Sequence, residues 1–222
     1  MNCKTLIIGL TLLLGTVSLQ AKSLPDLAQF LQERVIRIHM TGPRGYHTPP
    51  DGWHSCSAFG IDAARGWGIT AQHCVQNAEG VHYAFVVDDF HRPLRVVATA
   101  EQVGFIDDDL ALLHGDIFTE LDPLQQMTLI PPAGTQVVAG GYAEGNHKIW
   151  FGAFVLSRID EIDTTFRLQG GVIGGMSGGP VLNQDGQVIG VLVEGDGLQT
   201  KAIAAWHFQE LKQFAARDAS GG

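Results

Sequence analysis

The chain has 222 residues, 45% of them hydrophobic and 17% charged, with a net charge of −9 and 28 glycines. It is too apolar for a disordered protein, too acidic to favour a nucleic-acid backbone as partner, and too rich in glycine for long helices. No heptad, collagen-like period or internal repeat is present, which excludes coiled coil and solenoid.

Residues 1–21 read as a secretory signal peptide. Lys4 precedes an apolar run from Leu6 to Val17, and Ser18-Leu19-Gln20-Ala21 follows with small residues for cleavage after Ala21. The run is well short of the ~20 residues that span a bilayer; an uncleaved N-terminal anchor is the competing reading. Cys3 lies before the run, so a lipid-modified cysteine at the cleavage site is not indicated. The expectation is an exported chain, periplasmic or secreted, free of the membrane after cleavage. Loss of Cys3 leaves Cys56 and Cys74, an even pair that in an exported chain is most simply a disulfide, with two separate buried thiols as the alternative. Two cysteines cannot complete a structural zinc site, and the nine histidines form no HExxH. Neither metal nor cofactor is expected.

Beyond the signal, Leu24 to Glu33 has Leu24, Leu27, Phe30 and Leu31 on one helical face. Val35 to Met40 alternates as a first strand. A Gly- and Pro-rich loop from Thr41 to Trp53 separates it from 57–62, and Ala64-Arg65-Gly66 turns the chain into 67–70. Further strands are expected at 81–88, 93–100, 110–114, 135–142, 149–157, 165–170, 180–183 and 187–193. Asn183-Gln184-Asp185-Gly186 marks a hairpin, because Asp-Gly accepts the positive φ of a tight turn. Residues 115–133, with Pro123, Pro131 and Pro132, read as a crossover between two halves. Trp206 to Ala216 closes the chain as an amphipathic helix. Many short strands and one final helix predict an all-β fold of two packed barrels.

Three segments carry chemistry. In Gly174-Gly175-Met176-Ser177-Gly178-Gly179-Pro180, glycines let the backbone turn sharply around a hydroxyl and can aim the N–H groups of Gly175 and Ser177 at a developing oxyanion. Thr70-Ala71-Gln72-His73-Cys74 runs from a strand into a turn holding a histidine. Asp107-Asp108-Asp109 leads into the apolar strand Leu110-Ala111-Leu112-Leu113, and Asp109, next to the strand, is the carboxylate expected to turn inward. Alone, each has a bland reading: a Gly-rich connection, a structural histidine, a solvated loop end. Together they supply a weak nucleophile, a base that works near neutral pH, and a carboxylate that fixes the tautomer of that base. Gly175-Met176-Ser177-Gly178-Gly179 also fits the G-x-S-x-G elbow of α/β-hydrolases, but that fold needs its acid and histidine after the serine. Here both precede it.

Thr-Ala-Gln-His-Cys, Asp-Leu-Ala-Leu-Leu and Gly-Met-Ser-Gly-Gly-Pro resemble the three signature segments of trypsin-like serine proteases, over about residues 35–210. Gly134-Thr135-Gln136-Val137 with Gly140-Gly141-Tyr142, and 183–191 after the serine, are closest in style to the bacterial HtrA-like and glutamyl-endopeptidase-like branches, with no room for a PDZ domain. The resemblance implies two six-stranded antiparallel β-barrels with a short C-terminal helix: a helical extension at 22–34, barrels at 35–120 and 121–205, and helix and tail at 206–222. It implies Ser177 as nucleophile, His73 as general base and then acid, Asp109 as orienting carboxylate, and an oxyanion hole from Gly175 and Ser177. Gly171, Val172, Val193, Glu194 and Gly195 would bind substrate, and Cys56 with Cys74 matches the family disulfide beside the histidine.

Two positions depart from the animal enzymes of that family. Met176 stands where they carry an aspartate that pairs with a newly cleaved N-terminus, so activation by that ion pair is not expected and something else must shape the oxyanion loop. Gly171 stands where trypsin has its specificity aspartate, and Leu192-Val193 offers no histidine of the glutamyl-specific kind. The implied substrate is a protein or peptide with a neutral small or aliphatic P1 residue, and the implied state a monomer. The rival is a weak or inactive protease-like domain that binds peptides or unfolded proteins.

Overall fold

The computed structural model describes residues 21–40, 55–76, 84–86, 92–105, 109–143, 148–160 and 165–220. Residues 1–20 of the segment read as a signal peptide, the loop at 41–53, and Asp107 and Asp108 lie outside the described residues.

The strands form two closed antiparallel barrels of six. The first holds β1 (Val35–Met40), β2 (Ser55–Asp62), β3 (Trp67–Thr70), β4 (Ala84–Val86), β5 (Pro93–Thr99) and β6 (Ala111–His114), in the order β1-β2-β3-β6-β5-β4. The second holds β7 (Gln136–Tyr142), β8 (Ile149–Ile159), β9 (Thr165–Gln169), β10 (Pro180–Leu182), β11 (Val188–Gly195) and β12 (Gln199–Ala204), in the order β10-β11-β12-β9-β8-β7. Among the described residues both sheets close on themselves, so neither barrel has a free edge strand. Phe59 and Phe166, one in each barrel, are fully buried, and each such side chain contributes roughly 1.5–3 kcal/mol by leaving water.

Helices tie the barrels together. α1 (Leu24–Gln32) is opened by a capping box in which the Ser23 hydroxyl accepts from Asp26 N–H and the Asp26 carboxylate accepts from Ser23 N–H. It buries Leu27 and Leu31 one turn apart, with Leu31 beside Gly140 of the second barrel. α3 (Phe208–Ser220) crosses back, its Phe208 ring 6.1 Å from Phe59 of the first. Each terminal helix thus caps the barrel that lies further from it in sequence.

Three features differ from the sequence reading. β12 was not expected; it is a hairpin partner of β11, turned at Asp196-Gly197, with Asp196 accepting from the N–H groups of Leu198 (2.9 Å) and Gln199 (2.7 Å). Those two N–H groups, Gln199's first, hold the Asp196 carboxyl below the usual carboxylate range. The crossover contains a short helix, α2 (Ile117–Glu120), whose Phe118 is buried. Leu24, assigned to the buried helix face, is 49% exposed because it lies in the first turn beyond the barrel surface. The Asn183–Gly186 turn joins β10 to β11, with Gly186 at φ 82° and Gly186 N–H donating to Asn183 O at 3.0 Å.

Candidate active site

β3 ends at Thr70, and the chain makes one 3-10 turn over Gln72–Cys74 that carries His73 off the rim of the first barrel. Asp109 precedes β6, the strand paired with β3 through Thr70↔Ala111 and Ile69↔Leu112. That pairing brings two segments 36 residues apart side by side. The His73 backbone N–H donates to Asp109 Oδ1 at 2.7 Å, and His73 Nδ1 meets Asp109 Oδ2 in a short hydrogen bond. One carboxylate therefore grips both main chain and ring, leaving Nε2 as the outward nitrogen.

Ser177 lies on the loop between β9 and β10. Its neighbours show why this segment is glycine: Gly178 sits at φ 81°, and a Cβ on it would fall 2.1 Å from Ser57 O and 2.3 Å from Thr70 Oγ1. Only a residue without a side chain lets the loop lie this close to the first barrel. The Ser177 hydroxyl is 3.5 Å from Val193 O, at the outer limit of a hydrogen bond. Among the described residues no hydrogen bond joins it to His73. Both residues instead border the Cys74 sulfur, which is 3.6 Å from His73 Nε2 and 3.8 Å from Ser177 O. That sulfur is bonded to Cys56. Cys56, His73 and Cys74 are the metal-ligand-type side chains that cluster among the described residues, but the disulfide leaves no thiolate to bind an ion.

The loop before the serine is a turn from Ile173 to Met176, closed by Met176 N–H donating to Ile173 O at 3.2 Å, with Gly175 at φ 90°. A positive φ at the third residue is the mark of a type II turn. Among the described residues the N–H groups of Gly175 and Ser177 make no backbone hydrogen bond, while that of Met176 between them does. Met176 is 3% exposed and packs with Val137, Ala139, Val181 and Leu192 in the core of the second barrel.

Of the residues expected to bind substrate, Val193, Glu194 and Gly195 form the end of β11, Val172 lies against Gly195, and Gly171 lies against Gly197 in the turn between β11 and β12. A Cβ on Gly195 would meet Val172 Cγ2 at 2.6 Å and Thr200 Oγ1 at 3.6 Å. Thr200 is fully buried and donates to Gly170 O at 2.8 Å. Glu194 is exposed.

Sequence reasoning missed two residues here. Thr200 faces Gly195 only because β12 pairs with β11 (Gly195↔Thr200), and that strand went unread. Ser57 is fully buried on β2, donates its hydroxyl to Gly175 O at 3.1 Å and accepts Tyr142 N–H at 2.8 Å. The available signal was a hydroxyl leading into the apolar run 58–61, since a buried polar group needs a partner. Burial raises the Tyr142 phenol above its usual range and lowers the facing Arg37 guanidinium, each partly offsetting the other.

Comparison with known proteins identifies this architecture. Residues 56–191, more than half of the chain, match the model of the trypsin-like peptidase domain family, and the chain belongs to that family. Its fold is similar to that of a serine endoprotease from Yersinia pestis, with a TM-score of 0.68 and 17% identity over 89% of this chain and 68% of that one. It is also similar to the active form of the Rv3671c protease from M. tuberculosis, with a TM-score of 0.61 and 22% identity over 85% of this chain and 83% of that one. No curated protein matches the sequence. By family and fold the protein is a trypsin-like serine protease.

Proposed function

We propose that the protein is an exported serine endopeptidase that cleaves peptide bonds through Ser177, His73 and Asp109. The observation that carries this reading is the double grip of Asp109 on His73, which fixes the tautomer with Nε2 as the basic nitrogen. In the first step Ser177 Oγ attacks the scissile carbonyl carbon as its proton passes to His73 Nε2. The carbonyl oxygen becomes an oxyanion, received by the N–H groups of Gly175 and Ser177. Nε2 then gives its proton to the leaving amine, the C–N bond breaks, and an acyl-enzyme remains. Water adds by the same route in reverse roles, with Nε2 taking its proton and returning one to Ser177. Hydrogen bonds of a catalytic site without substrate are commonly long and tighten in the complex, which accommodates a Ser177 hydroxyl resting near Val193 O.

Neutral Val172 and Thr200 beside Gly195, with Gly171 at the position of trypsin's specificity aspartate, support a small or aliphatic P1 residue. The Cys56–Cys74 bridge supports export, since such bonds persist in oxidising compartments. The test is labelling by a fluorophosphonate probe of wild type against Ser177→Ala, followed by cleavage-site profiling on a denatured protein. Labelling of wild type alone, with cuts after Ala, Val or Leu, is expected. A folded wild type that resists the probe would leave the peptide-binding, non-catalytic reading, and cuts mainly after Arg or Lys would overturn the P1 assignment.

A further inference from the structure

The two halves of the site come from different barrels: His73 and Asp109 from the first, the Gly175–Ser177 tripeptide from the second. Proton transfer and oxyanion binding require them in register, and Met176 lacks the charge that would anchor the loop through an ion pair. A link that touches both ends of the tripeptide is at Ser57, on β2 of the same barrel as His73. Its hydroxyl donates to Gly175 O at 3.1 Å and its backbone N–H donates to Ser177 O at 2.8 Å, so one residue holds both ends of the tripeptide. The hydroxyl also accepts Tyr142 N–H at 2.8 Å, and Ser57 O accepts from Thr70 Oγ1 at 2.7 Å, three residues before His73. Ser57 Oγ and Met176 Cα both lie within 3 Å of where a Cβ on Gly141 would sit, so the junction has no slack. Having donated once and accepted once, the hydroxyl is fixed in direction; a hydrogen bond, unlike apolar packing, sets the plane of the peptide it holds.

We infer that Ser57 is a positioning residue for catalysis, registering the oxyanion donors of the second barrel against His73 of the first through its hydroxyl. The inference rests on the endopeptidase reading above. Ser57→Ala removes the hydroxyl and keeps the backbone grip on Ser177. It should lower kcat at least tenfold, with KM within threefold and the pH–rate profile unmoved, because His73 and Asp109 are untouched. Affinity for a peptidyl trifluoromethyl ketone, which becomes an oxyanion on addition, should fall by the same factor, while binding of the corresponding product peptide should not. Ser57→Thr, which retains the hydroxyl, should recover part of the loss. Equal kcat and ketone affinity in Ser57→Ala and wild type would overturn the inference. So would parallel losses of kcat, product-peptide binding and thermal midpoint, which mark a purely structural residue. A wild type that neither labels nor cleaves would instead sink the endopeptidase reading, and this inference with it.

Discussion

Removal of the Cys56–Cys74 bridge should weaken the protein globally and loosen the site locally. The two cysteines are 18 residues apart in sequence, and freeing a loop of that length in the unfolded chain costs the folded state about 3 kcal/mol at 25 °C. Both side chains are buried, so Cys56→Ala/Cys74→Ala exposes no new polar group. For a chain of this size each kcal/mol moves the thermal midpoint by about 2–4 °C, which puts the double variant about 6–12 °C below wild type. Urea unfolding should be compared as extrapolated free energies, because an uncrosslinked unfolded state is more expanded and has a larger m-value. The bridge also borders the chemistry: the Cys74 sulfur separates His73 Nε2 from Ser177 O, and Cys56 precedes Ser57. Well below both midpoints, the double variant should therefore lose activity severalfold while its circular dichroism stays native. A free-energy loss under about 1 kcal/mol would refute the loop-closure reasoning. Full activity would refute the local one.

Under the P1 proposal, Val172→Ala should open space beside Gly195 and raise kcat/KM for Leu or Phe at P1 relative to Ala by roughly 10–200-fold, the worth of one or two methyl-sized groups; an unchanged ratio would place the P1 site elsewhere. Gly179→Ala would put a Cβ 2.1 Å from Gly140 O and 2.9 Å from Met176 O. Neither backbone atom can yield cheaply, and urea titration should show a loss of roughly 3 kcal/mol or more; a wild-type midpoint would contradict the packing. His207 is 1% exposed, stacks on Trp206, and burial lowers it from 6.5 to about 4. Its neighbour Glu210, 3.4 Å from Nδ1, is raised by its own burial. The unfolded chain thus takes up the His207 proton first: stability is full above about pH 6.5 and falls as pH drops toward 4, by about 3 kcal/mol at pH 4. Unfolding titrations at pH 7 and 4.5 should show that slope in wild type and a flatter one in His207→Gln, and equal slopes would exclude His207 as the cause.

Much of this architecture is legible in the sequence, for local reasons. Trp67–Thr70, Pro93–Thr99 and Gln136–Tyr142 lie within a residue or so of where apolar patterning puts them, because each strand buries at least one face in a barrel. The Asp185-Gly186 turn could be read because its geometry depends on two residues alone. The same dipeptide recurs at Asp196-Gly197, and applying the same rule there would have found β12. Gln199-Thr200-Lys201-Ala202 does alternate, but with small and polar residues rather than large apolar ones, so the pattern is faint. Thr200 was lost along with that strand. Ser57 and Gly175, 118 residues apart, illustrate the other limit: a hydrogen bond between barrels leaves no trace in the periodicity of either partner. The missing charge at Met176 could be read in the sequence, but what orients the loop in its place could not.

The division of labour between Met176 and Ser57 gives one more test. Burial of a thioether is worth roughly 1.5–3 kcal/mol but has no direction, so Met176 keeps the loop on the barrel without orienting its peptides; orientation falls to hydrogen bonds such as those of Ser57. Restoring an aspartate at this position would therefore not create an activated enzyme. Met176→Asp would place a carboxylate among Val137, Ala139, Val181 and Leu192, where its charged form is disfavoured and its pKa rises. The variant should lose roughly 3 kcal/mol or more at pH 7. The folded state would hold its proton to higher pH than the unfolded chain, so stability should recover as pH falls toward 4. Met176→Leu, similar in volume and equally apolar, should cost less than about 1.5 kcal/mol with no such pH dependence. A Met176→Asp variant as stable as wild type at pH 7 would mean that a cation reaches this core, and the loop would then be held by an ion pair after all.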